Sequence, residues 1–469
     1  METGPESGME TGSEPGMETG SEPGMETGSE PGTETGTMKA VTWRLMPFLV
    51  LLYLVAYVDR SNIGFAKLTL QNELGLSNAA FTLGQVGFFV AYAIFEVPSN
   101  IFLERFGARR WFTRILISWG LVTALTALVS TGWQFYTARF LLGAAEAGFY
   151  PGVLYFLTKW YPYRYRARMT GWFMMSTPLA FIIGNPLMGA LGGLDGVLGI
   201  KGWQWIFIAT GVPAVLLGFL TLRVLPDGPE RVGWLKDGEK KWIADELAVE
   251  SSTLGGTHES PLRTLRDKRV VLMSLYFLCF PLGAYGLSFW LPTIVDGFGG
   301  LSGTAVGFVT AIPYVFVAIG LYVVPKLADR SGSRYPWIAG NAAVGAVGLA
   351  GSALVPAGDH VLQMAFISLA AMCIFAGQPV LWSLPSRFLT GVQAASGIAM
   401  INAVGNLGGG FGPMGIGVIV DRTGSAVAGL WFLVAAMMVA AVATYGIKRL
   451  IENGRVVDHV PDVPVESGL

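Results

Sequence analysis

Long apolar stretches separated by short polar breaks run from about residue 43 to residue 449. A helix needs ~20 apolar residues to cross a bilayer. The pattern predicts twelve spans, near 43–67, 80–103, 112–131, 133–158, 168–193, 203–224, 270–296, 304–327, 336–356, 361–386, 394–420 and 427–449. One long hydrophilic connection, 225–269, separates the sixth span from the seventh and contains WLKDGEKKWIADELAVES, a short amphipathic helix pattern. The expected architecture is an all-α membrane protein, with six-helix bundles at 38–224 and 270–450 and a tail at 451–469.

Composition agrees. The chain is 52% hydrophobic and 13% charged, against ~25% charged for soluble domains. Its 63 glycines suit close approach of membrane helices. Cys279 and Cys373 both lie in apolar runs and read as small buried hydrophobes, not as a disulfide or metal site. The net charge of −1 conceals a segregation. Residues 1–32 are four copies of an octapeptide, METGPESG and then METGSEPG three times. With no apolar period and much Gly, Pro and Glu, residues 1–37 read as a disordered acidic tail, dispensable ahead of a second start at Met38. That tail holds nine glutamates; removing them from the 32 acidic residues leaves 23 against 31 basic, a net of +8.

Basic residues set the expected orientation. With the N-terminus inside, 26 of the 31 Lys and Arg fall on inner loops and span ends, and only Lys67, Lys201 and Arg422 on outer loops. Both termini are therefore expected in the cytoplasm, in the cell (inner) membrane.

The two remaining basic residues, Arg60 and Arg139, lie within spans, as do Asp59 and Glu146. A charge near the bilayer centre costs ~2.5–3.5 kcal/mol on insertion scales, and such residues usually mark an ion or substrate path. Arg139 and Glu146 are seven apart on one helical face, with Asp59 and Arg60 at about the same depth as Arg139. The four charges cancel when all are ionised. Arg139 offers a planar fork to a substrate carboxylate. A buried carboxylate beside an arginine holds or releases its proton with the state of the cavity, so Asp59 and Glu146 are expected to carry protons and Arg60 to tune them. His258, His360 and His459 fall in loops or tail, which disfavours a histidine relay. Glu96, also in an apolar run, reads first as a structural charge. Neutral groups for a substrate site are Tyr57, Tyr92, Tyr285, Gln378, Trp382, Ser383, Asn402 and Asn406.

The halves repeat. Glu104-Arg105-Phe106-Gly107-Ala108-Arg109-Arg110 follows span two, and Asp329-Arg330-Ser331-Gly332-Ser333-Arg334 follows span eight. Such parallel repeats build alternating-access transporters with a midplane site between halves. At these loops the chain resembles the major facilitator superfamily. There, Glu104, Arg105, Gly107 and Arg109, with Asp329, Arg330, Gly332 and Arg334, are implied to latch the halves on the cytoplasmic side. Within it, Tyr57-Val58-Asp59-Arg60-Ser61-Asn62, Phe95-Glu96-Val97-Pro98-Ser99-Asn100 and Arg139-Phe140-Leu141-Leu142-Gly143-Ala144-Ala145-Glu146-Ala147-Gly148 resemble the anion:cation symporter family. Gly193 to Trp205 is similar to a branch that includes tartrate and hydroxyphenylacetate permeases. The resemblance implies Asp59 and Glu146 as proton-coupling acids and Arg139 as carboxylate ligand. It also implies Tyr57, Tyr92, the Trp382-Ser383 pair and the span-eleven asparagine as site lining.

The expected function is proton-coupled symport of a small organic anion: a hydroxydicarboxylate such as tartrate, a sugar acid or a similar carboxylate. The alternatives are symport of an aromatic carboxylate such as hydroxyphenylacetate, and sodium-coupled or exchanging transport. An intramembrane enzyme would need a nucleophile–base pair or metal cluster that the spans lack. No G-x-x-x-x-G-K-[ST] motif is present, so a gradient and not ATP is expected to supply the energy. The expected partners are the anion, H⁺ and the lipid bilayer, with no cofactor and no nucleic acid, in a monomer.

Overall fold

The computed structural model describes residues 31–253, 266–356, 358–385 and 391–453, with side chains at 34–250, 266–356, 358–385 and 397–451. Every described element is helical. In the N-terminal half these are α1 (Pro31–Glu73), α2 (Asn78–Phe106), α3 (Ala108–Thr126), α4 (Gly132–Glu146), α5 (Phe149–Trp160), α6 (Tyr163–Met174), α7 (Ser176–Gly192) and α8 (Gly202–Val224). The linker carries α9 (Asp237–Thr253). The C-terminal half holds α10 (Lys268–Asp296), α11 (Gly303–Arg330), α12 (Tyr335–Leu354), α13 (His360–Leu381), α14 (Gly391–Asn406), α15 (Gly408–Thr423) and α16 (Ala426–Asn453).

Broken helices account for the excess over twelve. The pairs α4–α5, α6–α7 and α14–α15 each form one rod with a mid-length interruption, which leaves six rods per half. Eleven of the twelve are long and apolar enough to span by composition. The twelfth, α3, carries Arg109, Arg110 and Arg114 in its first two turns. Those arginines suit the membrane–water boundary, and α3 starts four residues before its expected limit because Gly107 alone (φ 86°) turns the chain out of α2.

Residues 1–30 of the predicted tail lie outside the described residues. Residues 31–37 do not follow the expected tail boundary, because α1 already begins at Pro31. Glu34 supplies the reason: it accepts from Tyr165 Oη at 2.7 Å and pairs with Arg164 at 2.6 Å. The predicted linker helix is α9, which folds onto the same half. Glu250 pairs with Arg166 at 2.6 Å, and Trp234, just before α9, stacks on Trp160 at 5.9 Å.

The halves meet where α1 packs on α10, α2 on the α14–α15 rod, and α7 on α11. The α7–α11 seam depends on two glycines. A Cβ on Gly189 would overlap the carbonyl of Gly303, and one on Gly303 would stand 2.8 Å from the carbonyl of Gly189. Asn185 Nδ2 bonds across the same seam to Thr310 O at 3.1 Å. At the start of α2, Asp421 of α15 accepts from the backbone amides of Asn78 and Ala79, both at 2.8 Å.

These contacts lie toward the face opposite the basic one. On the basic face, the two repeated loops bond within their own halves. Arg109 N donates to Asp227 at 2.9 Å, and Arg334 pairs with Asp329 at 3.5 Å. Glu104 and Arg105 end α2, Arg330 ends α11, and Gly332 (φ 69°) makes the turn between α11 and α12. Among the described residues no ion pair links one half's loop to the other's.

Candidate functional site

The central cavity lies between the halves. From the N-terminal half it is lined by Tyr53, Tyr57, Arg60, Tyr92, Tyr150, Met174 and Phe181. The opposite wall holds Phe277, Pro281, Ala284, Tyr285, Ser288, Phe375, Gln378, Trp382, Asn402 and Asn406. Seven of the expected substrate groups therefore meet there: Tyr57, Tyr92, Tyr285, Gln378, Trp382, Asn402 and Asn406. Ser383 is not in the wall, and its hydroxyl donates to Val380 O at 2.6 Å.

Arg60 is the cation in the wall. Its Nε donates to Glu146 Oε1 at 2.7 Å and its Nη1 to Tyr285 Oη at 3.0 Å. The guanidinium lies 5.3 Å from the ring centres of both Tyr57 and Tyr92, so two aromatic faces hold it as cation–π partners. Tyr285 belongs to the C-terminal half, so the Arg60 side chain already bridges the two halves.

The other three charges sit behind the wall. Asp59, 1% exposed, accepts from Trp119 Nε1 at 2.8 Å, Asn62 Nδ2 at 3.0 Å and Thr123 Oγ1 at 3.1 Å. Its surroundings are the interior of the N-terminal bundle, where α1 packs on α8 and α3 lies against α8. Arg139, 3% exposed, donates to Gln85 Oε1 and lies 5.0 Å from the Phe88 ring centre, while its Nε has no hydrogen-bond partner. The structure thus does not bring Arg139, expected as the carboxylate ligand, to the cavity wall in this conformation. Glu146 is 1% exposed, and its Oε2 is unpartnered. Arg139 remains within electrostatic range of Asp59, Glu146 and Arg60, and Asp59 within range of Glu146.

The chain path explains where Glu146 sits. It is the last residue of α4; Ala147 is extended and Gly148 left-handed (φ 85°) before α5 resumes at Phe149. Non-helical backbone at membrane depth survives where it is buried in protein or lines a cavity. The break beyond Asn406 in the α14–α15 rod and the one after Met174 in the α6–α7 rod also adjoin the cavity.

Several groups were not singled out from the sequence. Tyr53 lies one turn before Tyr57, and their hydroxyls stand 3.4 Å apart. Trp119 and Thr123, spaced i,i+4 on α3, give the signal for a shared partner, which is Asp59. No group of three or more His, Cys, Asp or Glu side chains capable of holding a metal occurs among the described residues.

Two six-rod bundles around a central cavity are the build of a membrane transporter. The chain belongs to the major facilitator superfamily, whose family model matches residues 49–413. It is 47% identical over 417 residues to a "Quinolone resistance transporter" of Acinetobacter baumannii, covering 89% of this chain and 96% of the relative. A "Putative tartrate transporter" of Agrobacterium vitis is 41% identical over 419 residues, with 89% and 96% covered. Among solved structures, a bacterial homologue of the human lysosomal transporter Spinster, inward-facing and unoccupied, superposes with a TM-score of 0.69 at 18% identity, over 91% of this chain and 98% of the other. A D-xylose–proton symporter superposes at 0.67 and 15% identity, over 86% and 97%. At those identities the structures speak to the fold.

Proposed function

We propose that the protein is a proton-coupled symporter of small organic anions, with the substrate carboxylate held by Arg60 in this conformation. The observation that carries this reading is that Arg60 faces the cavity while bonded to the buried carboxyl of Glu146 at 2.7 Å. A substrate carboxylate and Glu146 compete for one guanidinium fork. When substrate takes the fork, Glu146 loses its cation, and a proton from the cavity neutralises the carboxyl left in low dielectric. Release of the anion returns Arg60 to Glu146 and expels that proton. Asp59 and Arg139, each bonded to other groups behind the wall, keep the layer near neutrality, and Asp59 adds a further carboxyl able to take a proton.

The neutral wall supplies Tyr, Gln and Asn groups for hydroxyls, and Trp382 for an apolar or aromatic face. The tartrate name of one relative supports a hydroxydicarboxylate. The quinolone name of another supports a second reading, transport of aromatic carboxylates, because quinolones carry a carboxyl on an aromatic ring and this cavity is rich in aromatic side chains. A binding screen of hydroxydicarboxylates, sugar acids, aromatic acids and quinolones decides between the two. Accumulation in proteoliposomes under an imposed pH gradient tests the coupling; uptake that follows Na⁺ at clamped pH would overturn it.

We place the chain in the inner membrane with both termini in the cytoplasm, which the concentration of Lys and Arg on one face supports. Closure at the opposite face then corresponds to a cavity open toward the cytoplasm, and the repeated loops Glu104–Arg109 and Asp329–Arg334 latch the halves when that side closes.

A further inference from the structure

Glu96 of α2 is the buried acid outside the charge layer. Its side chain is 5% exposed. Its Oε1 accepts from Asn402 Nδ2 of α14 at 2.7 Å, a hydrogen bond that joins one half to the other. Its Oε2 has no hydrogen-bond partner. Facing it are Tyr92 on its own helix, Tyr150 of α5 and Arg60 of α1, but the Arg60 guanidinium is bonded to Glu146 and Tyr285. From α14 the neutral Asn402 amide faces it.

An ionised carboxylate buried with one neutral donor and no cation bonded to it carries a large desolvation cost, whereas the protonated acid carries little. The Asn402 contact exists only while α2 and α14 adjoin. Parting them exposes Glu96 to the water of the opened cavity, where the ionised form is solvated and the proton leaves. Asn402 also lines the cavity, so an occupant that engages its amide loosens the same strut.

We propose that Glu96 is a proton-binding site, loaded when α2 meets α14 and emptied when they part. The inference rests on the coupled-transport reading above and adds a carboxyl on α2, at the contact with α14, to those of the charge layer. It ties proton release to the relative movement of the halves and not only to substrate contact with Arg60.

The test uses the full-length protein in proteoliposomes with a trapped pH dye, and tartrate and 4-hydroxyphenylacetate as probes. Wild type is expected to take up protons with the anion; anion uptake without protons would overturn the coupled reading itself. Glu96→Gln keeps the acceptor for Asn402 but cannot ionise. It is expected to retain anion counterflow, to move one proton fewer per anion, and to show a flatter pH profile. Asn402→Leu removes the donor that favours the charged carboxylate, and the pH midpoint of uptake is expected to move to higher pH. A wild-type stoichiometry and pH profile in Glu96→Gln would overturn the proposal while leaving coupling intact. If Glu96→Gln does not fold, an unchanged midpoint in Asn402→Leu overturns it.

Discussion

Asp421 of α15 caps α2 from across the seam between the halves, its two oxygens accepting from the amides of Asn78 and Ala79 at 2.8 Å each. A carboxylate at a helix N-terminus meets unpaired N–H groups and the positive end of the helix dipole. The cap therefore stabilises contact between the halves at the face opposite the basic one. Removing such a cap costs ~1 kcal/mol, roughly a fivefold shift in a two-state equilibrium. Asp421→Ala is expected to raise the population separated at that face. Spin-label distances across the α2–α15 seam, in a background lacking Cys279 and Cys373, provide the measurement; an unchanged distribution contradicts the role.

Arg60→Ala leaves Glu146 buried without its cation. Breaking a buried ion pair from one side costs ~3–5 kcal/mol, largely through the stranded partner. The single variant is expected to melt well below wild type, and Arg60→Ala combined with Glu146→Gln is expected to recover much of the loss. Thermal unfolding in detergent checks the order; a double variant less stable than Arg60→Ala would show that the pair does not act as a unit. In transport, Glu146→Gln is expected to retain anion exchange and lose proton-driven accumulation. Arg60→Lys is expected to weaken anion binding by about tenfold or more, since an ammonium lacks the planar fork.

Much of the fold was legible because membrane helices announce themselves through long apolar runs, and the Glu104 and Asp329 loops mark the repeat. The charged residues were legible because any charge in such a run is costly. Their arrangement was not. Spacing places Arg139 and Glu146 on one helical face, but it does not tell which side of a helix meets the cavity. That depends on how α1, α2 and α4 rotate against one another, and here Arg60 reaches the wall while Arg139 turns to Gln85 and Phe88. Residue separation likewise hides the 306-residue contact between Glu96 and Asn402, which tertiary packing alone creates.

Asp59 illustrates a different dependence. Its carboxylate accepts from three donors: Trp119 Nε1, Thr123 Oγ1 and Asn62 Nδ2. In Asp59→Asn the new NH₂ must face at least one N–H or O–H. A buried donor left unpaired costs ~1–3 kcal/mol. Asp59→Asn is therefore expected to lower the melting temperature more than Glu146→Gln, whose carboxyl has one bonded oxygen and one unpartnered oxygen. Comparing the two variants under one detergent condition settles the order; equal stabilities would mean that the α3 donors find other partners.

Gly148 ends the interruption that sets Glu146 at the terminus of α4. Its φ of 85° is a left-handed conformation that costs an L-residue ~1–2 kcal/mol, and a Cβ there would overlap Ser99 Oγ of α2. Ser99 cannot simply swing away, because its hydroxyl accepts from Trp111 Nε1 at 2.9 Å. Gly148→Ala must therefore push α5 from α2 or straighten the break, and either movement displaces Glu146 from Arg60. The expected outcome is a folded but less stable protein with transport reduced at least tenfold. Ser99→Gly removes the overlapped atoms but not the backbone strain, so adding it is expected to restore part of the activity. Transport by the single and double variants in proteoliposomes measures both effects. Full activity in Gly148→Ala would show that the geometry at the α4–α5 break does not govern the Arg60–Glu146 contact.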